Sequence, residues 1–232
     1  MERWISILFQ EASFCMEIRD KQGEAYQVNV LSKGFADKEW KQILDIGNTI
    51  PWITWSKEYL LAEKDEYRVY RGKWEHSLVV LNEEKTWLKR HGSLESQRPL
   101  GKRDLRGQAV ANQAAGLEKS GQSSPVEVVA ILIAFEREPK GPVYKSPSFY
   151  IHLFAVKESF RGKGIGTALM ELFLERCKPG FKHLEGRPAV TVQTNSEDFN
   201  QGTISFYRKL GFKRIGRKVY RERVDFIMGK EL

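Results

Sequence analysis

A run of closely spaced glycines, Arg161-Gly162-Lys163-Gly164-Ile165-Gly166-Thr167, is the part of this sequence most suited to binding chemistry. It follows an apolar segment that predicts a β-strand, and it opens a segment with apolar residues at helical spacing. Glycines let backbone amides approach a ligand closely, because no Cβ intervenes. Unpaired amides at a helix start, together with the helix dipole, form a site for an anion. The run therefore predicts an anion site; the alternative is a glycine-rich turn that binds nothing.

Two well-known phosphate-binding motifs do not fit this run. A Walker A loop requires Gly, four residues, Gly-Lys and then Ser or Thr, and the run fails that spacing. A Rossmann fingerprint requires G-x-G-x-x-G, whereas the glycines here follow G-x-G-x-G and no acidic residue stands about 20 positions on after a second strand. The spacing therefore argues against both of these nucleotide-binding classes.

A second block lies downstream and reads Asn200-Gln201-Gly202-Thr203-Ile204-Ser205-Phe206-Tyr207-Arg208-Lys209-Leu210-Gly211-Phe212. The first run resembles the Arg-x-x-Gly-x-Gly motif of the GNAT superfamily of N-acetyltransferases, which follows a β-strand there. The second block resembles that superfamily's N-x-x-A-x-x-F-Y-x-x-x-G-F motif, with Thr203 in place of the usual Ala. The order, the separation and the intervening predicted strand all agree, and the resemblance covers residues 126–228.

The resemblance implies that acetyl-CoA is a co-substrate. It implies that the backbone of Phe154, Ala155 and Val156 pairs with the pantetheine arm as an additional strand would. Asn200 would contact the pantetheine or the adjacent strand end. The pyrophosphate would lie against the turn and the helix start, formed by Arg161, Gly162, Lys163, Gly164, Ile165, Gly166 and Thr167.

Acetyl transfer to an amine needs two groups that handle protons. A lysine-type amine has a pKa of ~10.4, so a base or a water chain must remove its proton before it can attack. The leaving thiolate must then be protonated or stabilised. Tyr207, which the resemblance implies lies near the sulfur, suits this second role, because a phenol can donate a proton while staying neutral beforehand. Alternatively, Tyr207 is an aromatic residue of the core that packs beside Phe206 and Phe212.

His152 is the candidate base, because its ordinary pKa of ~6.5 suits neutral pH. The stretch from His152 to Val156 is similar to the arylalkylamine acetyltransferase branch, where a His on this strand serves the amine. That branch has a second His two positions earlier, where this sequence has Tyr150, and strand alternation predicts both side chains on one face. Glu136 and Glu138 are competing bases, and a hydrogen-bonded structural His is the other alternative.

Strands alternating with helices in the second half predict an α/β fold. With the resemblance, we expect a mixed, twisted sheet of the GNAT type with helices on both faces, in a single domain spanning 1–232. Within it we expect an N-terminal β extension over 1–25, a polar insertion over 84–125 and an acetyl-CoA-binding core over 126–228. Helices are expected at 37–44, 164–177 and 203–210, with Pro179-Gly180 ending the second, and Tyr67 to Tyr70 is expected to form a strand.

Composition limits the possible partners. The net charge of +8 could attract an anionic partner, but a solvated basic surface and a phosphorylated cofactor account for it more simply than nucleic acid does. No apolar run reaches the ~20 residues of a membrane-spanning helix, and no signal peptide is apparent. Cys15 and Cys177 are too few and too far apart to indicate a metal cluster or a disulfide framework. We therefore expect no membrane partner, no metal and a cytoplasmic location; the oligomeric state is left open.

These features favour an N-acetyltransferase that moves an acetyl group directly to a primary amine of a small molecule or a protein. Tryptophans in the N-terminal part of the chain, including Trp52 and Trp55, could line a pocket for the amine or belong to the ordinary core. Two alternatives stay open: a non-catalytic acyl-CoA-binding regulatory module, and an acetyltransferase acting on a ribosomal protein or RNA.

Overall fold

An eight-stranded sheet dominates the computed structural model, which describes residues 16–50, 54–66, 68–82, 126–181 and 189–232. Its strands, in chain order, are β1 (Met16–Arg19), β2 (Ala25–Val30), β3 (Leu78–Asn82), β4 (Glu127–Arg137), β5 (Ser148–Val156), β6 (Val190–Asn195), β7 (Lys213–Val219) and β8 (Val224–Lys230). They lie side by side in the order β1-β2-β3-β4-β5-β6-β8-β7. Pairing is antiparallel between β1 and β2, β2 and β3, β4 and β5, β6 and β8, and β7 and β8, while β5 and β6 are parallel. The predicted mixed sheet is confirmed.

Six helices accompany the strands in these ranges: α1 (Lys33–Lys38), α2 (Trp40–Gly47), α3 (Lys57–Leu61), α4 (Lys73–His76), α5 (Ile165–Phe181) and α6 (Gln201–Lys209). Gly47 of α2 lies against the Leu153 side chain, whereas Gly166 of α5 lies against Phe154. Consecutive strand residues point to opposite faces, so α2 and α5 cover opposite faces of the sheet. The expected helices on both faces are therefore present.

A β-bulge interrupts the regular alternation of β5. Ile133 of β4 pairs with Leu153, and the next residue, Ala134, pairs with Ile151, so His152 is the extra residue. Because β4 alternates without interruption, the bulge places Ile151 on the same face as Phe154, although the two are three residues apart. The strand therefore changes which residues it presents to each face at His152.

Three local predictions differ from the structure. The single helix expected over 37–44 is two helices, because α1 begins earlier, at the Ser32 cap whose hydroxyl accepts from the Phe35 amide at 3.1 Å. Helix α5 continues through Pro179 rather than ending there, so the Glu175 carbonyl lacks the helical hydrogen bond that residue 179 would otherwise donate. In place of a strand at Tyr67 to Tyr70, the described residues show a tight loop, in which the Arg68 amide donates to the Asp65 carboxylate at 2.8 Å.

The largest apolar core lies between α5, α6 and the sheet. It contains Cys177, which is buried as expected for a packing residue. None of the helices in the described ranges is long and apolar enough to cross a membrane. Most of the expected N-terminal β extension, residues 1–15, and the polar insertion over 84–125 lie outside the described residues. All elements of the site below belong to the compact unit formed by Met1–Leu81 and Val128–Leu232.

Candidate active site

Strands β5 and β6 separate soon after they meet, and this opens the sheet. They pair only from Phe149 to Ile151 on β5 and from Val190 to Val192 on β6, although both strands continue further. The remaining residues, up to Val156 and Asn195, form the two sides of a V-shaped gap. A gap between parallel strands leaves backbone hydrogen-bonding groups without a ladder partner on that side.

The backbone of Phe154 and Val156 faces this gap. The Lys157 amide donates to the Val129 carbonyl on β4 at 2.8 Å. In an antiparallel pair, every second residue of a strand directs its N–H and C=O toward the partner strand. Ala155, two residues before Lys157, therefore also faces β4, whereas the N–H and C=O groups of Phe154 and Val156 point away from β4. Apart from the Val156 carbonyl, which accepts from Arg161 Nε at 3.0 Å, the two residues therefore present an extended backbone edge that another extended chain could pair with.

The glycine-rich turn closes the wide end of the gap. Gly162 and Gly164 adopt φ values of +77° and +95°, a region that side chains with a Cβ rarely adopt. The Ala168 amide donates to the Gly164 carbonyl at 3.0 Å, which is the first bond of helix α5. The amides of Ile165, Gly166 and Thr167 therefore precede the helical ladder and stand at the positive end of a helix of 17 residues.

A cleft of about 900 Å³ joins the gap to the turn. Every residue predicted to bind the cofactor lines it except Lys163, namely Phe154, Ala155, Val156, Arg161, Gly162, Gly164, Ile165, Gly166, Thr167 and Asn200. The unpaired strand edge, the bare glycine backbone and the helix start together suit a ligand with an extended amide-bearing arm and a phosphate group. The residues of the cleft therefore fit the donor that the sequence predicted.

Arg161 and Lys163 contribute in ways that the sequence did not reveal. Arg161 donates from Nε to the Val156 carbonyl at 3.0 Å and from Nη2 to the Thr49 hydroxyl at 2.8 Å. It therefore braces the end of β5 against the segment after α2. The Lys163 carbonyl accepts from the Lys21 amide at 2.8 Å, and its ammonium lies 5.0 Å from the centre of the Phe160 ring.

Asn200 ties the start of α6 to the end of β6. Its amide nitrogen donates to the Thr194 hydroxyl at 2.8 Å and to the Asn195 carbonyl at 2.6 Å. This is contact with the adjacent strand end, one of the two roles expected for it. The bonds hold the second side of the gap in place.

Tyr207 lies both in the core and on the cleft wall. Its ring packs edge-on against Phe206 and Phe212, each at a centroid distance of 5.4 Å. Burial, assisted by Tyr150, raises the pKa of its phenol above the ordinary value. Tyr207 therefore stays protonated at neutral pH, as a proton donor must, while its ring serves the packing role that was the alternative.

His152 also lines the cleft, within a ring of aromatic side chains. Trp55, Tyr59, Tyr70, Phe135 and Tyr150 lie at centroid distances of 5.1, 5.6, 5.4, 5.4 and 6.0 Å from its imidazole. The Nε2 atom is buried without a hydrogen-bond partner in the structure. Burial, and then the charges of Lys73 and Arg68, lower the pKa of His152 to about 3. The imidazole is therefore neutral at pH 7.

The competing carboxylates lie elsewhere. Glu136 is hydrogen-bonded to His76 Nε2 at 3.0 Å, and Glu138 pairs with Arg71 at 3.1 Å. Neither lines the cleft. The carboxylate on the cleft wall is instead Asp225 of β8, which is buried and accepts from the Gln193 amide at 2.6 Å.

Sequence reasoning missed Lys21, Gln193 and Asp225, all of which line the cleft. Lys21 lies in the β1–β2 turn, and its side chain packs against Gly164 from more than 140 positions away. Each residue belongs to a segment with no motif of its own. Gln193 and Asp225 lie on neighbouring strands, two positions apart in the register, so only the topology of the sheet brings them together.

Comparison with known proteins agrees with this geometry. Residues 126–214 match the family model described as an acetyltransferase (GNAT) domain. An uncharacterized N-acetyltransferase of Methanocaldococcus jannaschii is 41% identical over 63 residues, which are 27% of this chain and 25% of that protein. The match therefore spans about a quarter of that relative's length.

Two solved structures share the fold over most of their length. A chain of the NatC complex bound to Gag peptide and CoA superimposes with a TM-score of 0.52 at 14% identity, covering 88% of this chain and 96% of that one. Arabidopsis thaliana NAA60 in complex with acetyl-CoA gives a TM-score of 0.51 at 13% identity, covering 89% and 99%. The family model thus assigns residues 126–214 to the GNAT acetyltransferase domain, and this range contains the glycine-rich turn, the Asn200 to Phe212 block and the gap between β5 and β6.

Proposed function

We propose that this protein is an N-acetyltransferase that passes the acetyl group of acetyl-CoA directly to a primary amine. The observation that carries the proposal is the V-shaped gap, whose unpaired β5 edge leads to the glycine turn and the start of α5. An extended pantetheine arm suits the edge of Phe154 and Val156, and a pyrophosphate suits the free amides from Ile165 to Thr167. The NatC and NAA60 structures, which contain CoA and acetyl-CoA, support this assignment.

The proposed reaction forms one bond and breaks one. The neutral amine attacks the thioester carbonyl carbon, the C–N bond forms, and the C–S bond breaks with the electron pair leaving on sulfur. Tyr207 donates its phenolic proton to that sulfur, since a phenol with an ordinary pKa of ~10 is protonated beforehand at neutral pH. The phenolate regains its proton from solvent. No covalent enzyme intermediate is required, and Cys177, buried in the core, takes no part.

The lowered pKa of His152 favours an orienting role over that of a base. Moving a proton from an ammonium with a pKa of ~10.4 to an imidazole with a pKa of about 3 costs roughly 10 kcal/mol. Losing the same proton to solvent at pH ~7 costs roughly 5 kcal/mol, which is the smaller barrier. We propose that Nε2 accepts a hydrogen bond from the incoming amine, which loses its proton to water.

An amine panel with acetyl-CoA, followed by release of free thiol, tests the proposal. We expect thiol release that depends on both the enzyme and an amine, with the acetylated amine as product. Thiol release without an amine measures hydrolysis and serves as the baseline. Tight acetyl-CoA binding with no amine-dependent release for any acceptor would favour the non-catalytic binding module instead.

A further inference from the structure

A second cavity, of about 630 Å³, adjoins the cleft. Gln193 lies on the wall of both, and Phe135 of this cavity packs against His152 of the cleft at 5.4 Å. An acceptor entering through this cavity would reach the cleft beside His152. The cavity is therefore placed to hold the part of the acceptor that does not react.

The charge of this cavity is strongly positive. Five cationic side chains line it, Arg68, Arg71, Arg137, Lys140 and Lys218, against two carboxylates, Glu136 and Glu138. Both carboxylates are engaged, the first by His76 and the second by Arg71. Arg68 has its own partner in Asp65 at 3.1 Å. Three cations, Arg137, Lys140 and Lys218, have no acidic partner among the residues that the structure describes.

Arg137 is held in a fixed position. Its guanidinium lies 3.6 Å from the centre of the Tyr150 ring and 4.1 Å from that of Tyr144. Nη1 is buried and has no hydrogen-bond acceptor in the structure. A buried charged donor without an acceptor is costly, and stacking between two rings preorganises the guanidinium to bind a planar anion.

We infer that the acceptor amine carries a carboxylate, which binds in this cavity at Arg137, with Lys218 also lining it. The inference rests on the proposed function, because it assigns the acceptor of that reaction. The Tyr150 ring contacts both groups, at 3.6 Å from the guanidinium and 6.0 Å from the His152 ring, so the two lie within about 10 Å of each other. That spacing suits a carboxylate a few bonds from the nitrogen. An amino acid, or a peptide with an acidic residue near its amino terminus, has this chemistry.

The test compares acceptors that differ only in this charge. The first arm pairs amino acids with their carboxamides. The second pairs C-terminally amidated peptides that carry Asp or Glu at the first two positions with the same peptides carrying Asn or Gln. In one of the two arms, we expect kcat/KM to be at least about tenfold higher for the charged acceptor of each pair. The arm that shows this preference tells whether the carboxylate belongs to a free amino acid or to an acidic side chain of a peptide. Equal values within every pair, or a preference for the uncharged member, would overturn the inference.

Lys218→Gln and Arg217→Gln form a matched set of variants. The two residues are consecutive on β7, so their side chains point to opposite faces, and only Lys218 lines the cavity. We expect Lys218→Gln to raise KM several-fold for the charged acceptors only, and Arg217→Gln to leave both members unchanged. Arg137→Gln should remove the preference for charged acceptors altogether. If the Arg137→Gln protein fails to fold, Lys218→Gln still tests the inference.

A binding measurement separates this inference from the proposed function. Calorimetry with the same acid and amide pairs, in the presence of CoA, measures the preference of the cavity without turnover. Preferential binding of the acids with no acetyl transfer would support the cavity assignment and refute the transferase. Acetyl transfer with no preference for acids in either assay would refute the cavity assignment alone.

Discussion

At the scale of single residues, Tyr207 combines in the proposed reaction two roles that the sequence presented as alternatives. Its ring packs against Phe206 and Phe212, and the residue also lines the cleft. A core position does not exclude a chemical role, because a phenol is protonated at neutral pH at its ordinary pKa of ~10 and burial raises the pKa of Tyr207 further. The two roles can be separated by a substitution that retains the ring.

Tyr207→Phe should lower kcat by about 100-fold, which is the low end of the range for general acid catalysis. We expect the low end because a thiolate is already a fair leaving group. The affinity for acetyl-CoA and the free energy of unfolding should change little, since the ring contacts remain. Steady-state kinetics, calorimetry and urea unfolding measure the three quantities. Unchanged kcat would show that another group protonates the thiolate.

His152 offers a test through pH. Its folded pKa of about 3 lies below the unfolded value of ~6.5, so only the unfolded chain takes up the proton between these values. Its contribution to stability is therefore complete above pH ~6.5 and is lost as the pH falls toward 3. The slope is at most about 1.4 kcal/mol per pH unit.

His152→Leu should remove this acid-sensitive contribution. Between pH 7 and pH 4 the wild-type protein should lose up to about 3 kcal/mol of unfolding free energy more than the variant does. Urea unfolding at several pH values measures the difference. Parallel pH dependence of the two proteins would mean that the imidazole is not held neutral in the fold.

At the scale of elements, the glycine turn could be predicted from the sequence, but the contacts that distant segments make with it could not. The turn and its helix are contiguous in sequence, so their residue types specify a local conformation directly. Lys21, by contrast, reaches the turn from the β1–β2 hairpin, and Asp225 reaches the cleft from the far side of β6. Such contacts depend on the order of strands in the sheet, which no local pattern encodes. The bulge at His152 likewise depends on how β5 pairs with β4.

Gly164→Glu should abolish acetyl-CoA binding. The substitution places a side chain at φ +95° and a negative charge beside the free amides, and its Cβ would lie 3.1 Å from Lys21 Cγ. Gly141→Glu is the matched control, because Gly141 has φ +67° and open space around it and does not line the cleft. Both variants should lose about 1–2 kcal/mol of stability from backbone strain. Equal acetyl-CoA affinity in calorimetry for both would contradict the site.

At the scale of the whole molecule, the net charge of +8 is partly concentrated where ligands bind. Lys21, Arg161 and Arg223 line the cleft against the single carboxylate of Asp225. This distribution supports electrostatic attraction of a phosphorylated donor, which salt screens. Part of the excess positive charge, for which nucleic acid was one possible partner, would thus attract the donor of the proposed reaction.

Raising ionic strength from ~0.1 M to ~1 M should increase KM for acetyl-CoA several-fold, because the Debye length falls from ~10 Å to ~3 Å. Lys21→Gln should reduce this salt dependence. Lys213→Gln removes the same charge from the exposed β7 strand, outside the cleft, and should leave the dependence unchanged. Initial rates at several salt concentrations provide the measurement. Identical salt dependence in both variants would show that the overall charge, rather than its position, attracts the donor.

The gap between β5 and β6 also has a consequence for the unliganded protein. A sheet normally exposes its unpaired backbone at its two outer strands, where neighbouring chains can add and aggregation begins. Here the sheet has a further edge in its interior, at Phe154 and Val156 of β5. The walls of the cleft leave room for one extended chain rather than for another sheet. A donor that pairs with this edge completes the sheet from within, so the donor of the proposed reaction would also protect the protein against self-association.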